Sequence, residues 1–566
     1  MKTKQLTDSL SVAEQIKLSD LKALAQAGFK TVINNRPDGE VPRQPRSVTL
    51  EKRAAELGLS YRFIPVTPGA MSTDDIADFK AALTDAPAPA IAFCRTGTRS
   101  TTLWAHAVVD VLPVDAIIST AAKAGYDLST SKTKLERMAD EMASSHRETL
   151  KYTVLVVGGG SAGIATASSL LKRRPNLDVA VIEPNWVHYY QPGWTMVGGG
   201  IFDAKSTERR MRDLIPRQAK WIKGAVAKFH PDTNSVELED GSLVQYDMLV
   251  AAPGLRLDFQ KIEGCEETLG KNGVTSNYRY DLAPYTWELV QGLKSGTAIF
   301  SQPPMPIKCA GAPQKAMYLS ADHWLRENVL NKINIEFCTA GVVIFGIKEY
   351  VPSLMEYVKK YGANLNFGEN LVKIDGPNKT AWFEKSDANG HKSLVERKFD
   401  MLHISPPQSA PDFVKRSPLA NEAGWIDVDP ETLRHTRYSN IYALGDACSA
   451  PNAKTMAAAR KQAPIVATNV LAKLDGINKR AVYDGYGSCP LTVERGKIVL
   501  AEFGYGGKLI PSFPKWIIDG TKPSRLSWLL KERILPPLYW KGMLKGKEWL
   551  VKPHPNDRDE ITDVVK

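Results

Sequence analysis

KYTVLVVGGGSAG, residues 151–163, is a run of β-branched residues that breaks into glycines, and the helix-compatible stretch IATASSLLKRR follows it directly. Gly158, Gly160 and Gly163 satisfy G-x-G-x-x-G in the strand–turn–helix setting that gives this pattern its meaning. Gly158 and Gly160 allow the tight turn and the close approach of a pyrophosphate. Ser161 and Ala162 open the helix whose free N–H groups and positive dipole end face that anion. Glu183 ends the next strand, NLDVAVIEP, twenty residues after Gly163, where a carboxylate accepts from a ribose hydroxyl. An acidic residue there disfavours a 2′-phosphate and leaves FAD and NAD open.

Short buried-strand patterns continue through YDMLVAAPG (246–254) to NIYALGDA (440–447), as expected of a parallel, doubly wound α/β sheet. The 566 residues suffice for three or four domain-sized units. The divisions expected are an α/β domain over 1–112, a helical linker over 113–150 and a flavin domain over 151–290 and 400–510. A second Rossmann-like domain over 291–399 and a distinct C-terminal segment over 511–566 complete them. With 43% hydrophobic and 24% charged residues, disorder is excluded. A net charge of +11 favours anionic partners without selecting one, and no nucleic acid or metal site is read from it. Six scattered cysteines and a start, MKTKQLTDSL, without an apolar core indicate a reducing compartment and no cleaved leader. No window approaches 18 consecutive apolar residues.

YDMLVAAPG, with Gly254, and IYALGDA, with Asp446 placed for a ribityl chain, resemble the two secondary flavin motifs of two-dinucleotide-binding-domain flavoproteins, which selects FAD. Between them such proteins carry a second glycine fingerprint for a nicotinamide dinucleotide. Here AIFSQPPMPIKCAGAPQKAMYLSADHW and INIEFCTAGVVIFGIKEYV lack it, so electrons reach or leave the flavin by another route. A type II NADH dehydrogenase, the nearest rival, needs that fingerprint and no cysteine pair.

EPNWVHYYQPGWTMVGGG, CAGAPQK, GWIDVD, GDACSAPNAKT, DGYGSCPL and LAEF together make residues 151 to about 550 resemble sulfide:quinone oxidoreductases of the animal mitochondrial type. The resemblance implies FAD, with contacts that include Gln191, Val226 and Lys454, and a redox pair at Cys309 and Cys489. It further implies that sulfide attacks their disulfide or trisulfide and leaves a persulfide on Cys489, while Cys309 faces the flavin. Glutathione or sulfite then removes the sulfane sulfur and a quinone takes the electrons. Lys308 and nearby helix N–H groups are expected to favour the Cys309 anion. Cys338 and Cys448 read as buried small hydrophobes. Cys265 is a minor shuttle candidate, since other branches of the family use a third cysteine upstream.

The strand Ile91-Ala92-Phe93 delivers Cys94-Arg95-Thr96-Gly97-Thr98-Arg99-Ser100 to a helix start, a cradle for an anion around a thiolate. Residues 1–110 resemble the phosphatase-like domain of the β-lactamase-hydrolase-like family, NNRPDGE being a second matching segment. Tyrosine-phosphatase loops place Arg six positions after Cys, whereas Arg99 stands five after Cys94, as in rhodanese-type loops. A persulfide carrier is therefore favoured over a phosphatase with Asp38 as acid, and a non-catalytic sensor or docking domain is the third reading. At the other end, Ser524–Gly546 reads as an amphipathic helix pair broken at Pro536-Pro537. Its leucines and aromatic residues offer an apolar side, and Arg525, Lys531, Arg533, Lys541, Lys545 and Lys547 offer cations for acidic headgroups. A membrane surface met through residues 514–550, on the cytoplasmic face of the inner membrane, and a homodimer are the partners expected besides the substrates.

Overall fold

The computed structural model describes residues 3–145, 150–386, 391–478, 480–553 and 555–556. The chain divides into two compact units, 1–149 and 150–566.

In the first unit, β1 (Thr3–Thr7), β2 (Leu10–Ala13), β3 (Thr31–Asn34), β4 (Ser60–Phe63) and β5 (Ala90–Phe93) form one sheet in the order β1-β2-β5-β3-β4. Only the β1–β2 pairing is antiparallel. Central β3 and β5 are buried along their whole length; β5 is an unbroken apolar run, and in β3 Thr31 and Asn34 flank Val32 and Ile33. Helices α1 (Asp20–Gln26), α2 (Ser47–Glu56), α3 (Thr73–Asp85) and α4 (Thr98–Ala107) complete the expected α/β domain. The linker expected over 113–150 is helical but is not a linker. Its helices α5 (Val114–Lys123) and α6 (Lys132–Ser145) bring Ile117, Ala121, Tyr126, Leu128 and Leu135 into the core that holds Phe79 and Trp104. A few well-spaced apolar residues in a polar stretch suffice for that burial. Residues 146–149 lie outside the described residues.

The second unit is built on β6 (Leu150–Val157), α7 (Ser161–Arg173) and β7 (Val179–Ile182). β6 pairs in parallel with β7 on one side and with strand Leu243–Ala251 on the other. The latter pairs in its second half with Ile441–Ala443, again in parallel, and in its first half with an antiparallel meander. The three segments read as sheet strands thus share one sheet, and α7 packs on helix Met456–Leu474 beneath it.

A second, five-stranded parallel sheet runs Val274–Thr275, Met401–His403, Gly296–Gln302, Ile333–Thr339, Asn364–Phe367. Two of its strands, Val274–Thr275 and Met401–His403, fall outside the expected limits of 291–399. The hairpin Gly487–Glu494/Lys497–Phe503, expected in the flavin domain, packs Cys489, Leu491 and Val499 into the core beside this sheet. Pairing across long sequence gaps, invisible in a linear reading, sets these boundaries.

The C-terminal segment is one helical run over residues 525–545, not a pair. Two π-turns, Leu530–Ile534 and Leu538–Gly542, flank Pro536 and Pro537, and the chain stays helical through both prolines. Tyr539, Met543 and Leu544 pack into the flavin-domain core, whereas Leu526, Leu529 and Ile534 are exposed. Among the described residues no helix is long and apolar enough to cross a membrane.

Candidate active sites

A cavity of about 770 Å³ opens at the glycine turn and runs to the cysteines, within the range of small-molecule and cofactor sites, about 300–1,000 Å³. Gly158, Gly160, Ser161, Ala162, Glu183, Gln191, Gly254, Asp446 and Lys454 line it. Gly163 and Val226 do not. Gly163 serves packing instead, since a Cβ there would stand 1.8 Å from the Gly158 carbonyl oxygen. Val226 is buried at the start of the meander. Glu183 fixes the turn by accepting from the Gly159 amide at 2.8 Å and from Asn185 through its other oxygen.

These walls suit a dinucleotide flavin. Trp194 Nε1, Thr195 Oγ1 and Asn277 Oδ1 are buried on the cavity wall without a hydrogen-bond partner in the protein, which leaves donors and acceptors for a polar ring system. Burial raises the Asp446 carboxyl, opposed by the Lys308 and Lys454 ammonium groups. Lys454 in turn donates to the carbonyls of Asp446 and Cys448.

At the far wall the structure brings together two cysteines 180 residues apart. Cys309 and Cys489 stand with their sulfurs 3.8 Å apart, a thiol pair in contact. Cys309, at the left-handed φ of 50°, lines the cavity, and Cys489 lies behind it, 3% exposed. Gly311 makes the approach possible, because a Cβ there would meet the Cys489 sulfur at 2.6 Å.

The cation that serves the anion is Lys315, not Lys308. Lys315, six residues on along helix Ala312–Arg326 and 2% exposed, donates to the Cys309 sulfur at 3.0 Å. Lys308 donates to Gln191 at 2.5 Å instead. The Cys489 thiol, as hydrogen-bond donor, and the Lys315 charge hold Cys309 well below the ordinary thiol range against the opposing effect of burial. The same hydrogen bond, with burial, raises Cys489. The pair is therefore a thiolate beside a thiol. Lys531, expected to meet headgroups, is 5% exposed and lines the same cavity. Burial and the Lys315 charge push its ammonium down to about 7.

The other cysteines stay apart from this pair. Cys265 and Cys338 share an apolar cluster, and burial pushes both thiols up to about 12. Cys448 donates to the Gly445 carbonyl.

Behind the glycine turn the C-terminal run is tied in. The Tyr539 hydroxyl lies 2.5 Å from His188 Nε2 and 2.7 Å from Ser161 Oγ.

In the first unit, the Gly97 amide donates to the Cys94 sulfur at 3.2 Å, and α4 begins one residue later. Arg99 spends three of its five N–H donors on the Asn35 and Val66 carbonyls and Glu40, which leaves two for a bound anion. Burial opposes ionisation of Glu40, but Arg36 and Arg99 hold its carboxyl below the ordinary value. Asp38 accepts from the Ser47 amide at 2.7 Å, holding the start of α2. Tyr126, from the stretch read as linker, closes over the loop: a Cβ on Gly97 would stand 2.0 Å from its hydroxyl. Glu40, Tyr126, Lys315 and Lys531 were not legible as site residues in the sequence. Glu40, inside NNRPDGE, and Lys315, at the end of CAGAPQK, lay in segments that pointed to the site.

Comparison with known proteins agrees with this geometry. Residues 2–110 match the β-lactamase hydrolase-like protein, phosphatase-like domain family, and residues 152–286 the pyridine nucleotide-disulphide oxidoreductase family. The mitochondrial sulfide:quinone oxidoreductase of Dictyostelium discoideum is 42% identical over 402 residues, 70% of this chain and 87% of that protein. That of Mus musculus is 38% identical over 395 residues, again 70% and 87%. A β-lactamase hydrolase-like protein of Agrobacterium fabrum is 33% identical over 141 residues, 25% of this chain and 33% of that one. The solved sulfide:quinone oxidoreductase of Aquifex aeolicus shares the fold at a TM-score of 0.58 and 20% identity, over 71% of this chain and 96% of that one. The chain belongs to the sulfide:quinone oxidoreductase family, with FAD as cofactor and a quinone as electron acceptor, and carries a β-lactamase-hydrolase-like, phosphatase-like domain ahead of it.

Proposed function

We propose that the second unit oxidises sulfide at Cys309 and Cys489, and that the first moves the resulting sulfane sulfur between small acceptors. The observation that carries the reading is the Cys309–Cys489 contact at the wall of the dinucleotide cavity, with a buried lysine on the Cys309 sulfur.

With the pair oxidised, HS⁻ attacks the Cys489 sulfur and the disulfide breaks. Cys489 then bears a persulfide, and Cys309 departs as thiolate. The direction follows from the leaving group, because the thiol of lower pKa leaves faster and Lys315 favours the anion at Cys309. Glutathione thiolate or sulfite next attacks the outer persulfide sulfur, forming glutathione persulfide or thiosulfate and returning Cys489 as a thiolate that takes a proton. Re-forming the disulfide removes two electrons from the Cys309–Cys489 pair, and FAD, when bound, would supply the acceptor for them on the way to a quinone. Gly158 to Ala162, Glu183, Asp446 and Lys454 are the residues that would hold it.

In the first unit, the Cys94 thiolate attacks the outer sulfur of a persulfide or thiosulfate, becomes a persulfide and releases the donor thiol or sulfite. It then yields the sulfur to a second thiolate. The two free N–H donors of Arg99 suit the anionic donor. The engagement of Asp38 with Ser47 supports sulfur transfer over phosphatase chemistry. Membrane docking through 514–550, at the cytoplasmic face of the inner membrane, draws support from the exposed Trp516, Ile517, Leu526, Leu529 and Ile534 beside Lys515, Lys522 and Arg533.

Anaerobic titration of the purified holoenzyme with sulfide tests the central reading. Sulfide should bleach the flavin band and a short-chain quinone should restore it. Cys309→Ser and Cys489→Ser should retain FAD and resist bleaching. Bleaching at the wild-type rate in Cys489→Ser would remove the pair from the reaction.

A further inference from the structure

Away from the cysteines, the second unit has another hollow, of about 630 Å³. It lies between the end of α7, the turn after Met211 and the last part of the C-terminal run. Lys172, Arg212, Arg217 and Lys545 line it, with Asp213 as the single carboxylate. Arg210 already engages that carboxylate at 2.9 Å.

Lys545 donates to the Asp213 carbonyl at 2.9 Å and Lys172 to the Gly546 carbonyl at 3.1 Å. Both acceptors are neutral backbone carbonyls, so each ammonium group keeps spare donors. The Arg217 guanidinium has no hydrogen-bond or ion-pair partner among the described residues. Lys172, Arg217 and Lys545 bring three positive charges to one hollow, with the Arg212 guanidinium beside them, and their mutual repulsion falls when an anion enters. The buried side chains of Leu171 and Ile215 form an apolar floor beneath them.

We propose that this hollow is a phosphate-binding site. The N–H donors of Arg217, Lys172 and Lys545 on the walls of one hollow suit the oxygens of a phosphate, and the floor accommodates hydrocarbon attached to it. The phosphate belongs either to an anionic lipid headgroup or to a soluble phosphate compound. The lipid source is favoured by position: Lys545 belongs to the same helical run as the exposed Leu526, Leu529 and Ile534.

Two measurements on the FAD-loaded full-length protein test the site and separate its sources. In the first, flotation compares phosphatidylcholine vesicles with vesicles that also contain phosphatidylglycerol. In the second, inorganic phosphate is titrated while the unfolding temperature is followed. Arg217→Gln and Lys172→Gln should each weaken binding to the anionic vesicles about fivefold, the equivalent of about 1 kcal/mol per cation at an anionic surface. Lys392→Gln, on an exposed strand of the second lobe, should change nothing. If phosphate stabilises the wild type and not Arg217→Gln while vesicle binding is equal in both, the site stands and its ligand is soluble. If Arg217→Gln and Lys172→Gln match the wild type in both measurements, or Lys392→Gln weakens vesicle binding as much as they do, there is no phosphate site. Sulfide bleaching at the wild-type rate reports that each variant is folded.

Discussion

Gly311→Ala adds one methyl group at the point where the redox pair closes. The backbone of Gly311, at φ −82° and ψ −2°, accepts alanine without strain, so the cost is steric. The new Cβ would stand 2.6 Å from the Cys489 sulfur and 2.3 Å from Leu491 Cδ2. Leu491 is fully buried in the same strand and cannot swing clear. Ordinary contact needs about 3.5–4.0 Å, so the strand carrying both residues must retreat by about 1 Å. Overpacking of this kind costs about 1–3 kcal/mol of stability. A displacement of about 1 Å at reacting groups costs on the order of 100-fold in rate. Anaerobic stopped-flow mixing with sulfide, followed at the flavin band, gives the rate, and a thermal melt of the same holoenzyme gives the stability. A variant that bleaches at the wild-type rate with an unchanged melt would show that the closeness of helix start and strand has no part in the chemistry.

Lys315→Met removes the charge beside Cys309, so its thiol titrates at higher pH and the thiolate is lost sooner on acidification. The alkylation rate of the reduced protein against pH should show the acid limb moved upward, and an unmoved limb would free Lys315 of this role. Burial lowers His188 to about 4. Between about pH 6.5 and 4 the unfolded chain therefore binds a proton that the folded chain refuses, and stability falls as pH falls, by on the order of 3 kcal/mol at the acid end. Denaturant midpoints of wild type and His188→Gln at neutral and acid pH should show the variant losing less. Cys94→Ser should abolish sulfur transfer from thiosulfate and leave sulfide bleaching intact; full transfer in the variant would take Cys94 out of the reaction.

The glycine turn was legible because its chemistry is local: strand, turn, helix start and ribose carboxylate fall within about thirty residues. The Cys309–Cys489 pair could be named only through family likeness, since nothing in the chain between them, 180 positions from one to the other, announces their contact. Lys315 and Lys531 could not be read at all. A lysine in the first turn of a helix looks the same whether it faces solvent or a sulfur, and Lys531 stands among cations that do reach the surface. The linker was misread because composition averages over a stretch, whereas burial depends on a few positions such as Ile117, Ala121 and Leu135. Pocket wall and core packing were likewise confused at Gly163 and Val226, where the motif fixes position along the chain and not what each atom faces.

The bond from Tyr539 to Ser161 spans 378 residues, and this sets a timetable for synthesis. At about 5–20 residues per second, the glycine turn leaves the ribosome about 20–75 s before the tyrosine that closes it from behind. Throughout that interval the first unit has its whole sequence and can fold, while the cofactor cavity lacks Lys531 and the wall formed by Leu530, Leu535 and Leu538. Stable retention of the flavin therefore belongs to the finished chain. A ribosome-bound or prematurely terminated product that ends before residue 530 would carry the complete dinucleotide turn and both redox cysteines, yet would have an open site from which the cofactor can exchange.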